Sequence, residues 1–216
     1  MSHSKLQKII RNNFGQLTIA TAFCMSSPSF AGAGGSLMQT APVLAPGQFE
    51  AKMHGDVILN NGGGFNLSPH LRIGLVEHYL DVDTFIGTGT IDFQVGALAK
   101  YNILPDINGQ LGLSILFGFS FLSDNIKATN TTQKVALTTF GFLASKEVQA
   151  EFGTFSPYTA LQVEAFVAKN DSRSPITLLG GVKWNPSGEK WNFFSELGIN
   201  VHQSLWTISA GAAYPF

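Results

Sequence analysis

The sequence predicts an all-β fold, an antiparallel up-and-down transmembrane β-barrel of about ten strands, with eight or twelve strands as the alternatives. Two observations lead to this prediction. Apolar and polar residues alternate with a period of two over most of the chain after residue 48, as in strands that have one apolar and one polar face. Charged residues make up only 12% of the 216 residues, about half the roughly 25% of an average soluble domain. Because charges keep water-exposed surfaces dispersed, this composition indicates an outer surface that does not face water.

The segment Met1–Ala31 has the layout of a cleaved secretory signal peptide, which would engage a secretion translocon. Three basic residues precede an apolar run that is too short for a membrane-spanning helix, and small residues stand just before Gly32. Cys24, the single cysteine, lies in this segment behind Phe23, where a lipoprotein signal needs a small residue. Cleavage would leave 10 basic against 14 acidic residues, a net charge of −4. A basic nucleic-acid-binding surface is therefore not indicated.

Residues 32–47 are rich in glycine, alanine, serine and proline and have no periodic pattern. They are predicted to be a periplasmic lead-in to a barrel formed by residues 48–216. The first strand covers 48–59, where Phe49, Met53 and Val57 share the apolar parity. The residues from Asn60 to Gly64 are predicted to end it in a turn.

The next three strands are predicted at 71–75, 80–86 and 91–103, each with apolar residues at alternate positions. Pro69 is compatible only with a strand end or a bulge, because it cannot donate a ladder hydrogen bond. Turn-forming residues at 87–89 and 105–109 separate the later strands.

The fifth strand, Leu111–Leu122, is the most apolar stretch after the signal segment. Parity distinguishes it from a buried helix, because Phe117, Phe119 and Phe121 fall on one face while Ser114 and Ser120 fall on the other. Its length of about a dozen residues suits a tilted strand that crosses a membrane, which needs roughly 9–11 residues.

Three further strands are predicted at 135–144, 161–167 and 176–184. The first of these has ambiguous parity, since Val135 and Leu137 as well as Phe140 and Phe142 could face outward, and a β-bulge would reconcile the two pairs. The connections at 123–133, 145–157 and 169–174 are read as loops.

The last hairpin runs from Trp191 to Phe216 and turns at Gln203 and Ser204. The chain ends on an aromatic residue, with apolar residues at every second position before it. This ending resembles the C-terminal signature of bacterial outer-membrane β-barrel proteins. The resemblance covers residues 49–216 and implies that the final strand is read by the barrel assembly machinery; the matching positions are Trp206, Ile208, Ala210, Ala212, Tyr214 and Phe216.

The resemblance also implies location in the bacterial outer membrane, an even number of strands and contact with outer-membrane lipid. We expect a monomer whose 123–133 and 169–174 loops lie outside the cell. Several aromatic residues fall near predicted strand ends, as interfacial girdles would: Tyr101, Trp184, Trp191, Trp206 and Tyr214.

The apolar parity is predicted to face lipid, because the opposite parity is mostly small and weakly polar, as suits a narrow lumen. That parity also carries scattered charged residues and histidines. The candidate lumen-lining residues are Glu50, Lys52, His54, Asp56, Arg72, Asp81, Asp83, Asp92, Lys100, Glu164, Lys183, Glu196 and His202.

Charges of both signs in such an interior must pair or be hydrated. We therefore expect a narrow pore or a structural envelope component without catalysis, metal or cofactor. The alternative is an outer-membrane enzyme of protease, phospholipase or acyltransferase type, with an exterior-facing cluster of His54, Asp56 and His202. His70 and His78 are interpreted as interfacial or turn residues rather than ligands.

Overall fold

The protein is described by a computed structural model that covers residues 36–60, 63–107, 110–126, 131–167 and 174–216. The predicted signal peptide lies outside these residues. Eleven strands are formed in the described part of the chain: β1 Phe49–Ile58, β2 Gly64–Val76, β3 Leu80–Gly89, β4 Phe93–Leu104, β5 Gly112–Ile126, β6 Thr131–Ser145, β7 Val148–Ala150, β8 Gly153–Val167, β9 Ile176–Pro186, β10 Asn192–His202 and β11 Thr207–Pro215.

Ten of these strands form a closed antiparallel barrel. Strands β1 to β6 pair in chain order, as do β8 to β11, while β6–β8 and β1–β11 pairings join the two series into a ring. The three-residue strand β7 pairs with β8 only and lies outside the ring. The predicted fold and strand number are therefore confirmed. No helix in the described ranges is long and apolar enough to cross a membrane.

The barrel has two distinct ends. We call the end with the start of β1 and the last residue of the chain the terminus end, where the backbone groups of Phe49 and Phe216 pair. The opposite end, where β1 connects to β2 and β10 to β11, is the loop end. The strands that flank the predicted loops at 123–133 and 169–174 meet at the loop end, and β5 and β6 extend into the first of these loops.

Several strands are longer than predicted, because a strand continues as far as its neighbour offers a pairing edge. Strand β2 begins at Gly64 rather than at residue 71, and Pro69 lies within it opposite Met53. Residues 145–157, which were interpreted as a connection, contain β7 and the first residues of β8.

The predicted orientation of the side chains on β5 is confirmed. Phe117 and Phe121 are 60% and 54% exposed, whereas Ser114 and Ser120 are buried. Exposed large apolar side chains occur on all ten barrel strands. Aromatic pairs cluster near the terminus end, with ring centroids 6.1 Å apart for Tyr79 and Tyr101 and 5.1 Å apart for Trp191 and Tyr214.

The described pairing of β5 with β6 contains no β-bulge, so the prediction of a bulge in β6 is wrong. Its register with β5 runs without a shift from Gly112↔Ser145 to Ile126↔Thr131. Val135 and Leu137 are buried in the lumen, while Phe140 and Phe142 are exposed on the outside. The parity was ambiguous because this part of the lumen is itself lined by apolar side chains, so both faces of β6 carry them.

Candidate functional site

The lumen contains most of the charged side chains that were predicted to line it. Ten of the thirteen candidates are buried: Glu50, Lys52, His54, Asp56, Arg72, Asp81, Asp83, Lys100, Glu164 and Glu196. Lys183 is partly buried. These residues alternate with the exposed apolar side chains on their strands, so the period-two pattern places them inside the barrel.

Two of the candidates, Asp92 and His202, are exposed rather than enclosed in the lumen. Asp92 precedes β4, which begins at Phe93 and not at the predicted residue 91. His202 follows a shift in the β9–β10 register between Asn200 and His202. This irregularity breaks the alternation, and Val201 and His202 are consecutive exposed residues.

The buried charges are concentrated on β1 to β4, which we call the charged wall. The register of these strands places Glu50 opposite Arg72 and Asp81 opposite Lys100. Opposite charges thus meet across neighbouring strands, which is the arrangement that stabilises cross-strand pairs. Because of this register, charged residues from separate parts of the sequence pair with each other inside the barrel.

Asp81 is the centre of the first group of charges on this wall. Its Oδ2 accepts hydrogen bonds from Nε and Nη2 of Arg72, with the Nε donor 2.9 Å away. The Nζ of Lys100 lies 3.5 Å from the same oxygen, and Nη1 of Arg72 lies 3.4 Å from Oε1 of Glu50. Two cations and two carboxylates therefore compensate each other within the barrel.

Asp83 organises a second group, closer to the loop end. Its carboxylate lies 2.9 Å from Lys52 Nζ and 3.0 Å from His70 Nδ1. The rings of His70 and His54 have centroids 4.6 Å apart, and His54 Nε2 lies 3.4 Å from Asp56 Oδ2. The interpretation of His70 as interfacial is therefore wrong, since it sits inside the lumen, whereas His78 is exposed in the β2–β3 turn.

The lumen also holds a part of the chain that was predicted to precede the barrel. Residues Ser36–Pro42, which we call the plug segment, lie inside it, and Ser36 to Ala41 are all buried. The prediction of a lead-in at 32–47 did not anticipate this position. Because the plug segment is not part of a strand, its backbone donors and acceptors must find partners elsewhere.

Glu196 on β10 accepts hydrogen bonds from the backbone of Leu37 and Met38 in the plug segment. Its Oε1 accepts a hydrogen bond from the backbone nitrogen of Leu37 at 3.0 Å, and its Oε2 accepts one from that of Met38 at 3.0 Å. The hydroxyl of Tyr158 donates to the same Oε2 at 2.9 Å. One carboxylate thus holds two consecutive backbone amides against the wall.

The charged wall and the neighbouring strands β5 and β6 hold Thr40, Ala41 and Pro42 of the plug segment. Lys100 Nζ donates to the carbonyl oxygens of Thr40 and Pro42, at 2.6 and 2.7 Å. Ser145 Oγ accepts from the Ala41 nitrogen at 2.9 Å, and Ser114 Oγ donates to the Ala41 carbonyl at 2.8 Å. The plug segment therefore supplies hydrogen-bond partners to charged and polar groups of the lumen.

Apolar side chains fill the remaining space beside the plug segment. Leu37 and Met38 belong to a buried cluster that also contains Leu98, Leu116, Leu143, Tyr158, Ala160, Leu179, Phe194 and Ala213. Gly211 makes room for this contact, because a Cβ at that position would lie 2.9 Å from the Met38 sulfur. The plug segment is thus held in the lumen by packing as well as by hydrogen bonds.

A cavity lies between the plug segment and the loop end, with an empty space, including its opening to solvent, of about 780 Å³. Residues Ser36, Leu37 and Gln39 of the plug segment form part of its lining. Side chains from the walls complete it, among them His54, Asp56, His70, Asp83 and Glu164. In the described ranges, no group of three or more His, Cys, Asp or Glu residues is arranged to hold a metal ion.

No protein-family model matches the chain, and no curated protein matches it. Solved structures do. The chain is similar to the β domain of the Bordetella autotransporter Brka, at 12% identity over 80% of this chain and 100% of that one, with a TM-score of 0.48. It is also similar to an outer-membrane channel from Pseudomonas putida F1, at 7% identity over 82% of this chain and 98% of that one, with a TM-score of 0.48.

A third similar structure is the translocator domain of the autotransporter NalP from Neisseria meningitidis. Identity is 12%, 98% of each chain is covered and the TM-score is 0.37. These similarities concern the barrel architecture and not an activity.

Proposed function

We propose that the chain is an integral outer-membrane β-barrel that acts as a narrow pore or structural envelope component, closed by its own plug segment. The observation that carries the proposal is the position of Ser36–Ala41, buried inside the ring of ten strands. Solute could pass only after this segment moved or through the space left beside it.

The outer surface supports a location in a bilayer. Exposed phenylalanines such as Phe117, Phe119 and Phe121 lie on the outside of the barrel, and the whole chain contains only 12% charged residues. Lipid contact satisfies such a surface, which would aggregate in water. The terminal Phe216 and the alternation of β11 further support recognition by an outer-membrane assembly machinery.

The histidines support a role without catalysis. His54 and His70 each place one ring nitrogen near a carboxylate, and the other ring nitrogens, His54 Nδ1 and His70 Nε2, have no hydrogen-bond partner. A nucleophilic enzyme needs a hydroxyl or thiol hydrogen-bonded to its base, and among the described residues the ring nitrogens of His54 and His70 contact carboxylates or have no hydrogen-bond partner. The exposed His202 stands apart from this group.

Conductance in planar bilayers tests the proposal. The mature chain should show small steps or none, and a chain lacking residues 36–42 should show larger ones. A locked control is the double variant Ala41→Cys, Ser145→Cys, because the Ala41 nitrogen lies 2.9 Å from Ser145 Oγ. When oxidised, this variant has its plug segment cross-linked to β6 and should show small conductance steps or none. Porin-sized steps from the unmodified chain would exclude the proposal, and lipid or peptide hydrolysis abolished by His54→Ala or His202→Ala would establish the enzyme alternative.

A further inference from the structure

The cavity between the plug segment and the loop end is lined by buried acceptor atoms that have no hydrogen-bond partner. They include Asp56 Oδ1, Glu164 Oε2, Gln162 Oε1, Gln39 Oε1, His54 Nδ1 and His70 Nε2. Carboxylate and amide oxygens can only accept hydrogen bonds, and a neutral histidine presents one acceptor nitrogen. This part of the lumen is therefore suited to a molecule that brings donors.

The two carboxylates in this set are deeply buried. Asp56 is 5% exposed and Glu164 is 2% exposed. A buried oxygen without a hydrogen-bond partner is unfavourable, and more so if it carries charge. These two side chains come from different walls, because β1 and β8 are separated in the ring by β9, β10 and β11 on one side and by β2 to β6 on the other.

The charge of the lining residues indicates whether a cation or an anion fits the cavity. The acidic residues that line the cavity are Asp56, Asp83 and Glu164, and the described lining contains no lysine or arginine. Asp83 is compensated by Lys52, 2.9 Å away. With the histidines counted as neutral, Asp56 and Glu164 are the acidic residues of the lining that have no cationic partner among the described residues, which favours a cation in this space.

The remaining lining is apolar, which distinguishes an organic cation from a bare metal ion. Side chains of Ile58, Phe85, Leu98 and Leu205 line the same cavity. These side chains cannot coordinate a metal, and the described residues offer no cluster of three metal-ligating side chains. They can pack against a hydrocarbon skeleton that carries the positive group.

We propose that this cavity binds a small organic cation, an ammonium group on a short apolar skeleton. The ammonium group donates to the free oxygens of Asp56 or Glu164, and the skeleton packs against the apolar part of the lining. The site lies between the plug segment and the loop end, so its ligand enters from the loop end. This inference goes beyond the role of the barrel as a closed pore.

Calorimetric titration of the mature, detergent-solubilised barrel tests the proposal, with 2-phenylethylammonium as the probe. Two molecules of similar shape serve as comparison, the neutral 2-phenylethanol and the anionic 3-phenylpropionate, and blank titrations into detergent correct for partitioning. We expect the ammonium compound to bind at least about tenfold more tightly than the alcohol. The anion should not bind measurably.

The double variant Asp56→Asn, Glu164→Gln keeps the side-chain shapes and removes both charges, and it should weaken binding of the probe by about tenfold or more. Glu189→Gln, which removes an exposed carboxylate in the β9–β10 turn, should bind like the parent. Circular dichroism of each variant checks that the barrel is folded. Equal affinity for the alcohol, or unchanged affinity in the folded double variant, would overturn the proposal. Stoichiometric displacement of the probe by Zn²⁺ or Ca²⁺ would also overturn it in favour of a metal site.

Discussion

Glu196 and Met38 are 158 residues apart in the sequence, yet the Glu196 carboxylate accepts a hydrogen bond from the Met38 backbone nitrogen at 3.0 Å. The same carboxylate holds the nitrogen of Leu37. A strand near the end of the chain thus fixes the segment near its start inside the barrel. Loss of this contact should loosen the plug segment without removing any strand.

The variant Glu196→Gln should destabilise the plug segment. The amide has one acceptor oxygen in place of two, so one of the two buried N–H groups loses its partner, at a cost of about 1–3 kcal/mol. Hydrogen exchange of residues 36–42 should become faster while exchange in the strands stays slow. Glu189→Gln is the control, since its carboxylate is exposed in a turn. Unchanged exchange in Glu196→Gln would show that packing alone holds the segment.

The variant Asp81→Asn should destabilise the barrel itself. Arg72 and Lys100 both lie against the Asp81 carboxylate, and removing its charge leaves two buried cations, with Glu50 as the remaining ion-pair partner of Arg72. Breaking a buried ion pair in this way costs about 3–5 kcal/mol. Urea unfolding in lipid vesicles measures the difference, with the exposed Glu77→Gln as control. Equal midpoints for the two variants would contradict the proposed importance of this group.

Substitutions on the two faces of β5 should act by different mechanisms. Phe117→Arg places a charge on the outer face near the middle of the strand and should cost about 2–4 kcal/mol in a bilayer. Ser114→Arg should instead crowd the lumen and displace Ala41, whose carbonyl accepts from Ser114 Oγ. Labelling with a lipid-soluble reagent should modify Phe117→Cys and spare Ser114→Cys. The opposite labelling would mean that the side-chain orientation is inverted.

The mature protein should lack the segment Met1–Ala31 and should fractionate with outer membranes. This expectation depends on the basic, apolar and small-residue regions at the start of the sequence. Mass spectrometry of the N-terminus and membrane fractionation test it together. An intact Met1 or a soluble periplasmic product would contradict the membrane assignment.

The sequence by itself determined the barrel fold, a strand number of about ten with eight or twelve as alternatives, and the direction in which most strand side chains point. Parity assigns residues such as Phe117 and Lys52 to opposite faces, because strand side chains alternate strictly, and the low content of charged residues indicates which face meets lipid. Parity failed where both faces of a strand are apolar or where the alternation is interrupted. Val135 and Leu137 are apolar residues inside an apolar part of the lumen, and His202 follows an irregularity in the register.

Only the tertiary structure decided what occupies the lumen. The plug segment has no periodic pattern, and its partners, Glu196, Lys100 and Ser145, lie 60 to 159 residues away in sequence. The pairing of Asp81 with Arg72 and Lys100, and the unpartnered oxygens of Asp56 and Glu164, likewise depend on barrel closure. Local alternation determines the face on which a side chain lies, whereas contacts across the lumen depend on strand register and ring closure, which bring distant segments together.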